Sequence, residues 1–542
     1  MYRGSSFVKG ALILGTAGLL SRFLGAGLRV FLAAIMGDEG IGLYQMAYPI
    51  YTTLLAISTA GIPIAVSKLV AENIAEKDYN GAYRVFRTSF LILTFLGAVF
   101  SLLMYLGANF FVENIAKDPR AYYSLVSISP AIFLVAIMSA LRGFFQGQQN
   151  MMPTALSQLV EQVSRIGVVV FLVLMLIPVS LEFAAAGAAF GAVAGALMGL
   201  LVLVFIYLRY RGDFRLKMME QPVDRSFSFL QVIYRILALS LPITLGSLVI
   251  PLINLLDLSV VPLRLAAAGF STEHATALYG QLTGMANSVI QFPIILVIAL
   301  AMSLVPAISE AHTLQNSTLI RSRTEIALRV TLLFSIPASA GLFVLAEPTT
   351  VVLFDNLSAA YPLSILSFGI IFLALYTSTS GILQGMGRPM DPVKNMLLGA
   401  AVKLLLSWFL TAEPQINIGG AAFSTVAGFM VASLLNVRRV SVLTRCRLQF
   451  GEMFLKPLGA SILMAAAAML IYRMLFALVV VQFSERMAQG VALFSSIALS
   501  AAVYVLVLFL IGGVRREDLQ AIPRLGPFLI KVARRFRLMG GR

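Results

Sequence analysis

The sequence predicts an all-α polytopic membrane protein of about 14 transmembrane helices, with two six-helix lobes related by a parallel pseudo-repeat and two additional C-terminal helices. Three observations carry that prediction. Of 542 residues, 59% are hydrophobic and only 12% are charged, whereas a soluble domain has about 25% charged residues. Apolar stretches of about 20 residues or more, each long enough to cross a bilayer, recur along the chain. Two stretches in the middle of each half also match one another.

Taken in order, the apolar stretches place helices near 10–36, 43–70, 84–111, 121–147, 153–179 and 184–208. A second set lies near 234–265, 275–309, 324–346, 358–386, 391–411 and 417–440, and two more lie near 454–480 and 487–512. The expected organisation is an N-terminal lobe over 1–210, a basic cytoplasmic linker over 211–233 and a C-terminal lobe over 234–443. Two further transmembrane helices fill 444–513, and a basic tail fills 514–542. The N-terminus has the charge-then-apolar pattern of a signal peptide, but its apolar run is too long and no small-residue cleavage site ends it. It therefore reads as a retained helix.

The formal net charge is +16. Its distribution follows the positive-inside rule better than it suggests a nucleic-acid partner. Arg84, Arg87, Arg211, Arg215, Arg321, Arg323, Arg438 and Arg439 fall on one set of loops, and Asp38, Glu39, Glu182, Glu273, Glu347 and Glu413 fall on the other. The alternation makes the chain a multi-pass protein of the cell membrane with both termini cytoplasmic. The basic tail can also touch anionic lipid headgroups.

The internal match joins RGFFQGQQNMMPTALSQLVEQVSR at 142–165 to SGILQGMGRPMDPVKNMLLGAAVK at 380–403. With an offset of 238, Gly143, Gln146, Gly147 and Met152 meet Gly381, Gln384, Gly385 and Met390, and Arg165 meets Lys403. At an offset of 235, Leu43-Tyr44 meets Leu278-Tyr279, Arg29 meets Arg264, and Arg22 meets Asp257. Six helices separate the copies. An even number preserves orientation, so the repeats are expected to be parallel, with a site between them. Gly187, Gly191, Gly195 and Gly199 form a four-residue ladder that lets a neighbouring backbone approach closely. Pro242, Pro251, Pro262 and Pro293 should kink their helices.

No metal or nucleotide chemistry is indicated. The chain has one cysteine, Cys446, and two histidines, His274 and His312; no GxxxxGK[ST] sequence occurs. These features argue against an ATP-driven pump without a separate partner subunit; a non-enzyme is expected, and no cofactor is called for. What stands out is a set of ionisable residues inside apolar stretches: Arg22, Arg29, Glu161, Arg165, Asp257, Arg264 and Lys403. A guanidinium near the centre of a membrane helix costs about 2.5–3.5 kcal/mol on insertion scales, which is tolerated where the charge faces water or a partner. Arg22 and Arg29 are seven residues apart and share a helix face. Snorkelling is the competing reading, though apolar residues flank Arg29 on both sides.

Five of the seven are basic. If their helices line one cavity, it carries about +3 net charge and attracts an anion, with guanidinium forks suited to phosphate oxygens. Each member also has a plainer reading. Glu161 and Arg165 can pair at i, i+4. Asp257 can be a counter-ion to Arg22 or a coupling-cation site. Lys403 can snorkel, and Arg264 can anchor a headgroup. The aromatic residues are scattered and read as packing or interface belts.

The stretches SRFLGAGLRVFLAAIMGDEGIGLYQMAYPI, RGFFQGQQNMMPT and LQGMGRPMDPVKN resemble the polysaccharide biosynthesis and stage V sporulation protein B branch of the multidrug/oligosaccharidyl-lipid/polysaccharide exporter superfamily. The resemblance covers essentially the whole chain. It implies two six-helix lobes around a central cavity, working by alternating access, and it extends to lipid II flippases, which add two C-terminal helices as a lipid-tail groove. Ser21-Arg22-Phe23-Leu24-Gly25 matches the family's Ser-Arg-x-Leu-Gly motif, and Arg29 stands one residue later than the second arginine of that pattern. The helix-2 arginine of the better-known flippases has no counterpart in YTTLLAISTAGIP.

The expected function is therefore an alternating-access flippase for an anionic polyprenyl-pyrophosphate-linked saccharide, with lipid II the best single substrate. Arg22, Arg29, Arg264, Arg165 and Lys403 would bind substrate, with Asp257 and Glu161 as coupling groups or counter-ions. Expected partners are the lipid-linked substrate, membrane lipids and cell-wall synthesis enzymes, with no nucleic acid, and the chain is expected to be a monomer. The alternatives are a flippase for another polyprenyl-linked oligosaccharide, a cation-coupled drug exporter of the same superfamily, and a non-transporting scaffold. An excess of intramembrane cations argues against the exporter, and repeated charge-insertion costs argue against the scaffold.

Overall fold

The computed structural model describes residues 3–220, 228–446, 451–482 and 484–513. The expected basic tail and residues 221–227 of the expected linker lie outside the described residues. The described chain is helical throughout, without a strand. Among the described residues, 13 helices are long and apolar enough to cross a membrane, and there are 14 if the bent pair Ala360–Ser367 and Gly369–Gly385 is one span. Large apolar side chains such as Phe95, Leu106, Phe171 and Val481 are exposed on these helices, as the lipid-facing side of a multi-pass membrane protein requires.

The chain divides into two compact units, Met1–Gly280 and Gln281–Arg542. The first holds α1 (Arg3–Thr59), α2 (Ile62–Ala75), α3 (Tyr79–Leu106), α4 (Ala108–Phe111), α5 (Tyr122–Ile128), α6 (Pro130–Gly147), α7 (Met152–Leu176), α8 (Leu181–Met219), α9 (Phe229–Ser247), α10 (Val249–Ala267) and α11 (Thr272–Gly280). The division falls at Gly280 rather than in the basic linker because α9 packs on α2 and α3, and α10 and α11 pack on α1. Residues 211–219, read above as linker, continue α8 as helix. The stretch expected as one helix over 234–265 is two, α9 and α10, meeting at Leu248. Pro251 has no N–H to return to the Ser247 carbonyl, and the ladder breaks there.

Gly37 sets the path of the first helix. Its φ of 70° and ψ of −172° lie in a region open essentially to glycine alone. The chain folds back there, so the expected helices at 10–36 and 43–70 are the two arms of α1, with α2 continuing the second arm. Caps follow the local chemistry: the Asp78 carboxylate accepts the Gly81 N–H at 2.6 Å, and Ser180 Oγ accepts the Phe183 N–H at 3.1 Å.

The second unit holds α12 (Asn287–Thr313), α13 (Ser317–Val344), α14 (Ala346–Phe354), α15 (Ala360–Ser367), α16 (Gly369–Gly385), α17 (Met390–Leu410), α18 (Ile418–Thr444), α19 (Lys456–Val479) and α20 (Glu485–Leu510). A π-helical segment, Gln281–Ala286, precedes α12. Buried Arg329 of α13 lies 3.7 Å from Glu452, ahead of α19, and Tyr504 of α20 donates to the Leu333 carbonyl at 2.8 Å. These contacts fix the last two helices to α13.

Contacts inside the two units repeat at the offset found in the sequence. A Cβ on Gly143 would meet the Pro63 carbonyl oxygen at 2.9 Å, and one on Gly147 would meet that of Ser67 at 2.8 Å. A Cβ on Gly381 would meet Ala301 O at 2.9 Å, and one on Gly385 would meet Val305 O at 2.8 Å. Every residue of the second set is 238 positions after its counterpart. In both units, then, two glycines one turn apart let α6 on α2, or α16 on α12, approach to backbone contact. Within the first unit a reciprocal pair appears: Gly42 abuts Thr276 and Gly280 abuts Asp38. Adding 238 to the lower-numbered member of each contact gives the higher-numbered member of the other, the signature of a local two-fold relation, so this region repeats at 238 rather than at the expected 235.

Candidate functional site

The α8 glycine ladder places the charged helix. Gly187, Gly191, Gly195 and Gly199 each lie against α7, at Leu172, Val169, Glu161 with Arg165, and Ser157 with Glu161 respectively. A Cβ on Gly195 would come 2.7 Å from the Glu161 carbonyl oxygen and 3.0 Å from Arg165 Cβ. With one side of α7 closed by that contact, its ionisable side chains project toward α6 and the second arm of α1.

Glu161 takes two arginines. Arg142 of α6 donates through a terminal nitrogen to Glu161 Oε2 at 2.9 Å and through Nε to Ser157 Oγ at 3.0 Å. Arg165 lies 3.5 Å from Glu161 Oε1. All three side chains are between 16% and 18% exposed, so the screening that makes surface pairs weak is largely absent. The i, i+4 pairing expected from the sequence is therefore present, but as half of a triad. Arg142 lies inside the apolar stretch 121–147 and joins Arg22, Arg29, Glu161, Arg165, Asp257, Arg264 and Lys403 as a further ionisable residue of these stretches.

The second arm of α1 brings three tyrosines to the triad. Tyr44, Tyr48 and Tyr51 are spaced at i, i+4 and i+7, with ring centroids 5.8 and 5.7 Å apart in sequence. Arg165 stands beside Tyr48 and Tyr51, and Arg29 Cζ lies 5.9 Å from the Tyr48 ring centroid. In one straight helix residues 29 and 48 would be about 28 Å apart; the fold at Gly37 brings them together. These aromatics are thus not scattered, and their helical spacing is the signal that marks them. Arg29, Tyr48, Arg165, Glu161 and Arg142 form a continuous strip of three cations and one carboxylate.

Two donors of this strip are unused. Arg165 Nε and the Gln162 amide nitrogen are buried and donate to no group among the described residues. Gly25, within the Ser-Arg-x-Leu-Gly motif, lies where its Cβ would be 3.4 Å from that amide. Arg22 is exposed on the same arm as Arg29. Asp257 and Arg264 are half-buried on α10, and each is engaged by other groups. Lys403, in the second unit, is half-buried on α17 and also engaged, with its Cβ in the contact made by Gly428. The structure thus joins Arg29, Arg165 and Glu161 directly, and places Arg22 on the arm of Arg29. No group of three or more His, Cys, Asp or Glu residues able to hold a metal ion occurs among the described residues.

Comparison with known proteins agrees with this architecture. The family described as "Polysaccharide biosynthesis protein" matches residues 7–312, and the family described as MatE matches residues 281–409. Stage V sporulation protein B of Bacillus subtilis (strain 168) is 32% identical over 97% of this chain and 99% of its own length. Lipid II flippase MurJ of the same organism is 28% identical over 80% of this chain and 81% of its own. Among solved structures, an inward-facing multidrug resistance MATE family transporter of the MOP superfamily has a TM-score of 0.66 at 15% identity, covering 79% of this chain and 96% of that one. A lipid II flippase MurJ in an inward closed conformation has a TM-score of 0.65 at 15% identity, covering 92% and 98%.

Proposed function

We propose, from the premise that this chain belongs to the polysaccharide biosynthesis protein family, that it is an alternating-access flippase for an anionic polyprenyl-pyrophosphate-linked saccharide. The saccharide moves from the inner to the outer leaflet of the cytoplasmic membrane, both termini are cytoplasmic, and lipid II is the best single substrate. The observation that carries the reading is the strip from Arg29 to Arg142, with unused donors on Arg165 and Gln162. Glu161 offsets part of the charge and leaves a net cationic surface beside open N–H groups. A diphosphate supplies the acceptor oxygens, and a guanidinium fork engages two of them at once. Arg22, Arg264 and Lys403 complete the substrate-binding set, with Asp257 as coupling group or counter-ion.

The driving force follows from charge. Moving an anion outward through an inside-negative potential is favoured by about 2.3 kcal/mol per charge per 100 mV if the charge crosses the field. No nucleotide is then needed.

One observation favours a second substrate. The relative aligned over 97% of this chain is a sporulation protein, whereas the lipid II flippase aligns over 80%. Another polyprenyl-linked saccharide is therefore the alternative cargo. The deciding measurement is lipid II exposure at the outer face of cells that depend on this protein alone. Wild type should expose it, and Arg29→Ala and Arg165→Ala, inserted at normal levels, should not. Exposure of a different polyprenyl-linked sugar would replace the substrate and keep the site. Full activity in both variants would refute the site.

A further inference from the structure

Away from the strip, the second unit has a concavity of about 310 Å³ where the start of α17 meets the end of α18. Its polar lining is Lys394, Arg438, Arg439, Asp391 and Asn395. Asp391 is satisfied by Arg439 at 2.8 Å, and Asn395 donates to Asn436 Oδ1 at 2.7 Å. Lys394 and Arg438 are exposed and form no ion pair among the described residues. Two unneutralised cations thus face a cavity whose other charges are already paired. Leu435 and Val442 complete the wall, with Leu435 one turn before Arg438, toward the middle of α18.

The repeat separates this feature from the needs of the fold. The α8 contact at Gly195 corresponds to the α18 contact at Gly428, an offset of 233, and the α7 to α17 offset is 238. By these offsets Leu156 stands where Lys394 does, and Phe205 where Arg438 does; both are exposed apolar residues. The same hairpin therefore forms without either cation. Lys394 lies in the second turn of α17 and Arg438 in the second turn from the end of α18. Because a bilayer core takes about 20 helical residues, both sit at the membrane boundary, where lipid phosphates lie.

We infer that Lys394 and Arg438 hold the phosphate of an anionic phospholipid headgroup in this concavity, with an acyl chain descending past Leu435. Arg439 contributes positive potential while staying paired to Asp391. The ligand is distinct from the saccharide carrier, and the inference does not rest on the flippase reading.

The experiment is native mass spectrometry of the full chain, released from micelles containing equal phosphatidylglycerol and phosphatidylcholine. Wild type should retain phosphatidylglycerol in preference, and Lys394→Gln with Arg438→Gln should weaken retention by roughly tenfold or more, since each basic group near the surface contributes about a factor of five. Lys394→Arg with Arg438→Lys keeps the charge and should retain the lipid, which separates charge loss from damage to the fold. Equal retention of the two lipids by wild type, or unchanged retention by the neutral variant, overturns the site. Inorganic phosphate at millimolar concentration should not displace the lipid; displacement that the neutral variant abolishes would make the ligand free phosphate and overturn the lipid assignment.

Discussion

The α6–α7–α8 face of the first unit and the α16–α17–α18 face of the second are the same construction with different chemistry. In each, a glycine of the third helix presses on a basic residue and on the carbonyl one turn before it. A Cβ on Gly195 would come 3.0 Å from Arg165 Cβ and 2.7 Å from Glu161 O, and one on Gly428 would come 2.9 Å from both Lys403 Cβ and Gly399 O. The polar link between the first two helices then diverges at matching positions. Arg142, Ser157 and Glu161 form a charged link, whereas their counterparts are Ser380, Asn395 and Gly399. The second unit closes its link through Asn436, which donates to Ser380 at 3.3 Å and accepts from Asn395 at 2.7 Å. Packing has been kept while charge has been concentrated on one side. Helix contact here depends on small residues and backbone approach, so polar positions are free to vary with the task.

The two faces differ most at Glu161. Glu161→Ala leaves Arg142 and Arg165 without their shared carboxylate and should cost about 3 kcal/mol or more, read as a large drop in unfolding temperature in detergent. A double-mutant cycle with Arg142→Ala should recover much of that loss; simple additivity would mean that the two side chains do not act together. Next in size come the matched substitutions Gly195→Leu and Gly428→Leu. Both overfill a backbone contact and should cost about 1–3 kcal/mol each. If only one is harmful, the packing equivalence fails.

Asn436→Ala strips the neutral link and should cost about 1–2 kcal/mol, less than Glu161→Ala, because only uncharged groups lose partners. An equal or larger loss would reverse the ranking of the two faces. The smallest effect is expected from Tyr48→Leu, which removes the ring under Arg29 and should change stability by about 0.5–1 kcal/mol. Its use is functional: a clear loss of substrate exposure with little change in stability would place Tyr48 in the binding strip rather than in packing.

Much of this was legible in the residues. The apolar runs, the 238-residue offset and the four-glycine ladder were each visible in the chain, and the structure turns the runs into helices and the other two into helix–helix contacts. Glu161 and Arg165 were legible as an i, i+4 pair. Arg142 was not, because it sits in an apolar helix 19 residues from its acid and no local spacing connects them. The tyrosines were half legible: their spacing names a common face but not what that face meets.

What the chain alone determined is the kind of object: a many-helix membrane protein with an internal repeat and an excess of cations inside its apolar stretches. Bilayer thickness, the 3.6-residue turn and the cost of intramembrane charge are local constraints, and they write themselves into composition and spacing. Tertiary structure decided which charges meet. Gly37 folds α1 so that Arg29 reaches the Tyr48 ring, and the α8 glycines set α7 so that Arg165 stands beside the same tyrosine. It also decided that α9 to α11 join the first unit. Such pairings join residues far apart in sequence, and their energies depend on distances that only the packed helices fix.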